Sequence, residues 1–355
     1  MKRLVILGGG YGGVRIAERI LSPELPDDVS VILVDRMPFH GLKTEYFALA
    51  AGTESEKTVR VPFPSDSRLT IRHGEVIKID LEMNVIEFAS GDNLPYDWLV
   101  VALGCEDRYH DIPGAEEFTN SIQTLEQTRK TYTAIHNVKP YGQITVVGGG
   151  LSGVELASEL RESRPDLNIR ILDRGDSILS PFPKKLQMYA SEWFIQHDVA
   201  LMSSANVTRI EQGVLYNNDQ ELHSDAIVWT AGIQANRIAR ELPVEHDISG
   251  RVILNHLHQI PNFTNVYVVG DCASLPFAPS AQLAEAQGEQ IASMLKHQMN
   301  NLPFPTSLPQ LKLKGTLGSL GHKEGFGMMG KLSLVGQMPR IMKSGVLWLY
   351  KNHLG

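Results

Sequence analysis

Cysteine is almost missing from this chain: Cys105 and Cys272 are the two in 355 residues. They form no CxxC pair, no disulfide framework and no four-cysteine metal site, and no other metal ligand set stands out. Thiol use this sparing suits a reducing cytoplasm. Long apolar runs are also lacking. Nothing approaches the ~18 consecutive apolar residues of a spanning helix. Met1-Lys2-Arg3 is basic, but Leu4–Leu7 is shorter than the ~7 apolar residues of a signal-peptide core. The protein is therefore expected to stay in the cytoplasm. Positive charge is in deficit, with 33 Lys and Arg against 40 Asp and Glu and a net charge of −7. That argues against a nucleic-acid partner.

What is present is a foldable composition. Hydrophobic residues make up 43% and charged residues 21%, enough apolar side chain for a large core. At ~150 residues per domain the length suggests two or three domains. Glycine, with 31 residues, matters for where it clusters. Leu4–Leu7 reads as a buried strand that runs into Gly8-Gly9-Gly10. A helix follows over 14–21, and Val31–Val34 is a second buried strand ending at Asp35. The grammar returns at Ile144–Val147, Gly148-Gly149-Gly150, a helix over 153–162, and Ile169–Leu172 ending at Asp173. Each copy is a parallel βαβ unit. The fold class is α/β with two Rossmann-like domains.

Both loops fit GxGxxG, with Gly8, Gly10 and Gly13 in the first and Gly148, Gly150 and Gly153 in the second. The first glycine makes the turn, the second lets backbone approach a pyrophosphate, and the third lets helix pack on strand. The helix N-terminus then presents free N–H groups to phosphate. An acid about 20 residues further on, Asp35 or Asp173, is placed to bond a ribose hydroxyl. One such loop is a weak signal. Two complete copies imply two dinucleotides exchanging electrons, commonly a resident flavin and a diffusing nicotinamide.

At this point the sequence resembles the two-dinucleotide flavoprotein reductases, and among them the type II NADH:quinone oxidoreductases. The resemblance runs along the whole chain. It is carried by LGGGYGG at Leu7–Gly13, ALG at Ala102–Gly104, VVGGGLSGVELASEL at Val146–Leu160 and WTAGI at Trp229–Ile233. VGDCA at Val269–Ala273, SAQLA at Ser280–Ala284 and KGTLGSLG at Lys314–Gly321 extend it. The resemblance implies tightly bound FAD on the first loop and NADH as co-substrate on the second. Gly8, Gly9, Gly10, Tyr11, Gly12 and Gly13 would hold the FAD pyrophosphate, with Asp35 and Arg36 on the adenosine side. Val76 would meet adenine through its backbone, and Asp271 would hold the ribityl–phosphate arm. Ala281 and Gln282 would start a helix beside the flavin ring. Gly148, Gly150, Gly153 and Asp173 would hold NADH, and Glu155 would support proton delivery to the acceptor. The implied division is an FAD domain from 1–115 and 250–310, an NAD(H) domain over 116–249, and a C-terminal segment over 311–355.

Several residues have an ordinary reading as well. Glu155 could simply favour its helix dipole by about 0.3–1 kcal/mol. Arg174, beside Asp173, would suit the extra phosphate of NADPH, which Asp173 repels. The sulfide:quinone branch of the superfamily uses a cysteine pair facing the flavin, but Cys105 and Cys272 read as buried thiols. His40 reads as structural. Ala286 stands where the family's quinone-side helix has a glutamine. The segment from Lys331 carries four cations and no acid, with Trp348 and Tyr350 in an apolar run. It reads either as a contact with anionic membrane, on the inner face of the cell membrane, or as a helix covering the FAD domain. The expected reaction moves hydride from NADH to flavin and two electrons on to a quinone or other small acceptor. A soluble-carrier reductase and a slow FAD- and NADH-binding redox sensor are the alternatives.

Overall fold

The structure, a computed structural model, describes residues 1–354, with side chains through Asn352. Gly355, the end of the expected C-terminal segment, lies outside the described residues. Two parallel sheets organise the chain, as the repeated strand–glycine–helix grammar requires. The first has six strands in the order Gln259–Ile260, Phe263–Val268, Trp98–Val101, Lys2–Leu7, Val29–Asp35, Leu69–His73. All neighbours pair in parallel except the outermost hairpin, 259–268. Leu4 to Leu7 and Leu99 to Val101 are wholly buried, as strands covered on both faces should be.

On one face lie the first glycine-loop helix, Tyr11–Ile20, and the long helix Ala281–Met299. They approach closely because both contact surfaces carry glycine. A Cβ on Gly288 would sit 3.0 Å from the Gly12 carbonyl oxygen. Arg15 pairs with Glu285, and Arg19 with Glu289 at 2.8 Å, along the same seam.

The second sheet has four parallel strands in the order Val199–Met202, Asn168–Leu172, Gln143–Val147, Ala226–Trp229. A short antiparallel pair, Cys105–Asp107 with Ile233–Ala235, ties the two halves together. The glycine-loop helices begin earlier than helix propensity suggests, at Tyr11 and Leu151. Gly10 and Gly150 supply the first helical carbonyls, to Val14 N–H at 2.9 Å and Val154 N–H at 3.0 Å. The loop backbone therefore starts each helix despite the glycines in its first turn.

The C-terminal segment folds into three antiparallel strands, Thr316–Leu320, Glu324–Met329 and Leu332–Gly336, then a helix, Gln337–Leu354. Leu320 and Phe326 are fully buried in the core of the second unit, with Val154, Leu156 and Leu160. The helix Tyr46–Ala51, from the first half of the chain, enters the same core through Phe47 and Ala50. Helix 151–163 is thereby enclosed by parts of the chain far from it in sequence.

Candidate functional site

Each glycine loop leaves the carboxyl end of its first strand, where open parallel sheets bind ligands. The surroundings of the glycines sort them by role. A Cβ on Gly8 would lie 2.3 Å from the Ala102 carbonyl oxygen, and one on Gly13 would lie 1.9 Å from the Gly8 carbonyl oxygen. A Cβ on Gly9 would strike Phe63, and one on Gly12 would strike Val269. The protein's own packing thus requires those four. Gly10 meets nothing within 4 Å. The second loop repeats the pattern: Gly148, Gly149 and Gly153 are blocked by protein, and Gly150 faces open space. Gly8 and Gly148 also share an unusual backbone, with φ of +106° and +108°. Neither helix N-terminus has a side-chain cap. An open middle glycine ahead of uncapped N–H groups is a cradle that fits a dinucleotide pyrophosphate.

The acids have a task that the spacing did not reveal. Asp35 Oδ2 accepts from Gly9 N–H at 2.6 Å, and Oδ1 accepts from Met37 N–H at 2.7 Å. Asp173 does the same with Gly149 N–H at 2.6 Å and Gly175 N–H at 2.7 Å. Each carboxylate fixes its loop and keeps lone pairs for a further hydroxyl.

Three other first-loop candidates follow the carboxyl ends of first-sheet strands: Arg36 after 29–35, Val76 after 69–73 and Asp271 after 263–268. Asp271 sits in the short turn Gly270–Cys272 that follows strand 263–268. Buried Gln287 holds that turn, accepting from Gly270 N–H at 2.9 Å and donating to the Val268 carbonyl at 3.1 Å. Ala281 starts the long helix behind the cap Ser280, and Gln282 accepts from Lys314 N–H at 2.7 Å. Val76 opens the strand Val76–Asp80 and is half-buried, while Arg36 is exposed. Tyr11 bonds Thr44 at 2.8 Å and lies against Tyr350.

His40, fully buried, connects this loop to the chain's far end. Nδ1 lies 2.8 Å from the Gly9 carbonyl oxygen, and Nε2 lies 3.0 Å from the Tyr350 hydroxyl. A carbonyl can only accept, so Nδ1 carries the proton and Nε2 accepts from Tyr350. Burial drives the imidazole pKa down to about 4 and keeps the ring neutral.

Glu155 is 5% exposed, enclosed between three parts of the chain. Its Oε1 accepts from Ser319 N–H at 2.9 Å, from the Ser319 hydroxyl at 3.2 Å and from Lys343 Nζ at 2.5 Å. Lys343 also lies 3.9 Å from Glu45 and over the Phe47 ring at 4.4 Å. A dipole contact alone needs none of these partners. Glu45, Ser319, Lys343 and Tyr350 were not legible beforehand, because each becomes a neighbour only through long-range packing.

Cys272 is a buried thiol, as expected, whereas Cys105 is only partly buried. Burial pushes both up to about 12. Cys105 Sγ accepts from Lys43 Nζ at 3.0 Å, and Cys272 Sγ–H donates to the Gly104 carbonyl at 2.9 Å.

The profile of the pyridine nucleotide-disulphide oxidoreductases matches residues 2–288. The chain is 53% identical, over all of both chains, to the NADH dehydrogenase-like protein YutJ of Bacillus subtilis (strain 168). It is 25% identical to the type II NADH:quinone oxidoreductase of Staphylococcus haemolyticus (strain JCSC1435), over 96% of this chain and 93% of that one. Among solved structures, the sulfide:quinone oxidoreductase of Aquifex aeolicus superposes with a TM-score of 0.84 at 18% identity, covering 100% of this chain and 91% of that one. NDH2 from Plasmodium falciparum, solved in complex with NADH, gives 0.83 at 15% identity, covering 99% and 96%. These two likenesses establish the two-sheet α/β fold.

Proposed function

The chain belongs to the pyridine nucleotide-disulphide oxidoreductase family, and from that membership we propose that it is a FAD-holding NADH dehydrogenase that passes two electrons to a quinone. The observation that carries this reading is the duplicated cradle, with Gly10 and Gly150 alone open in their loops. The type II NADH:quinone oxidoreductases among its relatives support the choice of acceptor.

FAD, when bound, supplies the two-electron chemistry between nicotinamide and quinone. The chain supplies alignment and charge. Gly10 and the N–H groups of helix 11–20 take the FAD pyrophosphate, and Asp35 takes a ribose hydroxyl. Asp271 takes the ribityl–phosphate arm, and Val76 meets the adenine. The N-terminus of helix 281–299 would offer its positive dipole end to the flavin ring. Gly150 and Asp173 orient NADH by the same means. Glu155, bonded by Lys343 and Ser319, holds a carboxylate where the two units meet. Hydride delivers one proton and quinol formation needs two, so a protein group must pass the second from water.

The C-terminal helix supports a peripheral membrane location on the inner face of the cell membrane. Its inner face carries Arg340, Lys343, Leu347 and Tyr350. Its outer face presents Met338, Ile341, Trp348 and Leu349, all more than half exposed. A helix with charge inward and apolar side chains outward suits insertion into a lipid surface. Among the described residues no helix is long and apolar enough to cross a membrane.

The test is anaerobic addition of NADH to purified yellow protein, then an acceptor screen. We expect the flavin to bleach and turnover to follow with a soluble quinone. Turnover only with an iron–sulfur protein would replace the quinone reading with a carrier reductase. Bleaching without turnover on any acceptor would make the chain a sensor.

A further inference from the structure

Lys343 is shared between two carboxylates. Its ammonium lies 2.5 Å from Glu155 and 3.9 Å from Glu45, and both acids are buried. No other cation is paired with either acid within 4 Å among the described residues. Two buried carboxylates around one ammonium carry a surplus negative charge, which is costly away from water. The surplus is relieved when one carboxyl keeps its proton. Glu155 already accepts three hydrogen bonds, so its oxygen is fully occupied by donors. Glu45 has Lys343 alone, beyond hydrogen-bond reach. The proton therefore belongs on Glu45.

The place of Glu45 in the fold gives that proton a use. It ends the short turn Lys43–Glu45. The other end of the turn, Lys43, stands by Cys105 and in the field of Asp271. One three-residue turn thus faces the flavin side and the Glu155–Lys343 pair together. Resting on the NADH:quinone reading, we propose that Glu45 is the proton-holding group of this site, a positioning residue that acts through Lys343 and Glu155. The balance is simple. NADH gives two electrons and one proton, and a quinone becoming quinol takes two electrons and two protons; Glu155 hands on the second proton, Lys343 gives one of its own to replace it, and Glu45 takes a proton from water and returns it to Lys343. Added negative charge at the redox centre favours the acid form, and its removal favours the carboxylate.

Burial supports this by raising Glu45 to about 7, where a group can both bind and release a proton. Lys343 opposes the rise and Glu155 adds to it, with Arg340 and Lys351 of the C-terminal helix opposing it more weakly.

The test titrates the holoprotein with a chemical reductant at a series of pH values and records the flavin potential. Dithionite bypasses both NADH and quinone, so failure of the quinone reading leaves the measurement intact. We expect a break in the potential–pH line near pH 7, worth one proton per two electrons. Glu45→Gln should remove the break while flavin stays bound, and Glu45→Asp should restore one. Lys343→Met should move it to higher pH, because the cation that favours ionisation is gone. A break unchanged in Glu45→Gln, or unmoved by Lys343→Met, overturns the proposal. If Glu45→Gln loses its flavin, infrared titration of the flavin-free protein replaces the potential. The wild type should then show a carboxylic-acid band fading through neutral pH that the variant lacks, and equal bands would reject Glu45.

Discussion

The two glycine loops are nearly superimposable in their bonding and differ in what secures them. In the second loop the Gly149 carbonyl accepts from the backbone N–H of Leu179 at 2.7 Å, a partner from the same unit. In the first loop the corresponding carbonyl, on Gly9, accepts from the His40 ring, which is held by Tyr350 of the C-terminal helix. The middle carbonyl of the first loop is thus fastened through the far end of the chain, and that of the second by its own unit, although the C-terminal segment also bonds the second loop's helix at Glu155.

The strongest way to break this comparison is to exchange the defects. Gly10→Val should abolish flavin retention with the fold intact by circular dichroism, since no protein atom lies within 4 Å of a Cβ there. Gly150→Val should keep its flavin and lose reduction by NADH. If both variants lost the same cofactor, the assignment of the loops would be wrong. Gly13→Ala, by contrast, should fail to fold, because its Cβ would lie 1.9 Å from a carbonyl oxygen.

Glu155→Gln should lower turnover by about 10²–10⁴ if it delivers protons, with flavin retained. A fall of less than tenfold in stopped-flow and steady-state assays would leave Glu155 with only its structural bonds.

Acid should separate the loops next. His40 is held near pKa 4 in the fold, against about 6.5 when unfolded. A folded value below the unfolded one means stability is lost as pH falls, beginning below about 6.5 and complete below about 4. The full loss is about 3 kcal/mol. Flavin release, read by fluorescence, should therefore rise across that window, and Tyr350→Phe should speed it. Release that is flat with pH down to 4 would sever His40 from the first cradle.

A smaller effect tests the second loop. NADH should exceed NADPH by at least about tenfold in kcat/KM, since Asp173 repels the added phosphate. Equal efficiencies would show that Arg174 prevails.

The smallest effect concerns the fastening helix. Lys343 is committed to Glu155, and Arg340 bonds the Gly321 carbonyl at 3.2 Å, so fewer than four cations can attract a membrane. Sedimentation with anionic vesicles should weaken only modestly as salt rises. Trp348→Ala should reduce it and leave flavin reduction unchanged. Truncation before Arg340 is the poorer test, because it would also remove Lys343 and Tyr350 from the site. A steep salt dependence with no effect of Trp348→Ala would point to charge as the attachment.

How much of this was legible beforehand follows from how far each constraint reaches along the chain. The βαβ units, the glycine positions and the acids at Asp35 and Asp173 are written in short spans. A turn with φ near +106° and a helix packed on its own strand are requirements of neighbouring residues, so spacing exposes them. The helix start at Ala281 was likewise visible, through the family resemblance. The contacts that convert these units into a site were not. Lys343 reads locally as one more cation in a basic tail, and Glu45 as an ordinary acid before a helix. Only packing of the C-terminal strands onto helix 151–163 brings Lys343 to Glu155. Only the return of the last helix brings Tyr350 to His40. No local pattern encodes those pairs, because burial and charge are properties of what surrounds a residue in space, and that is settled when the whole chain closes.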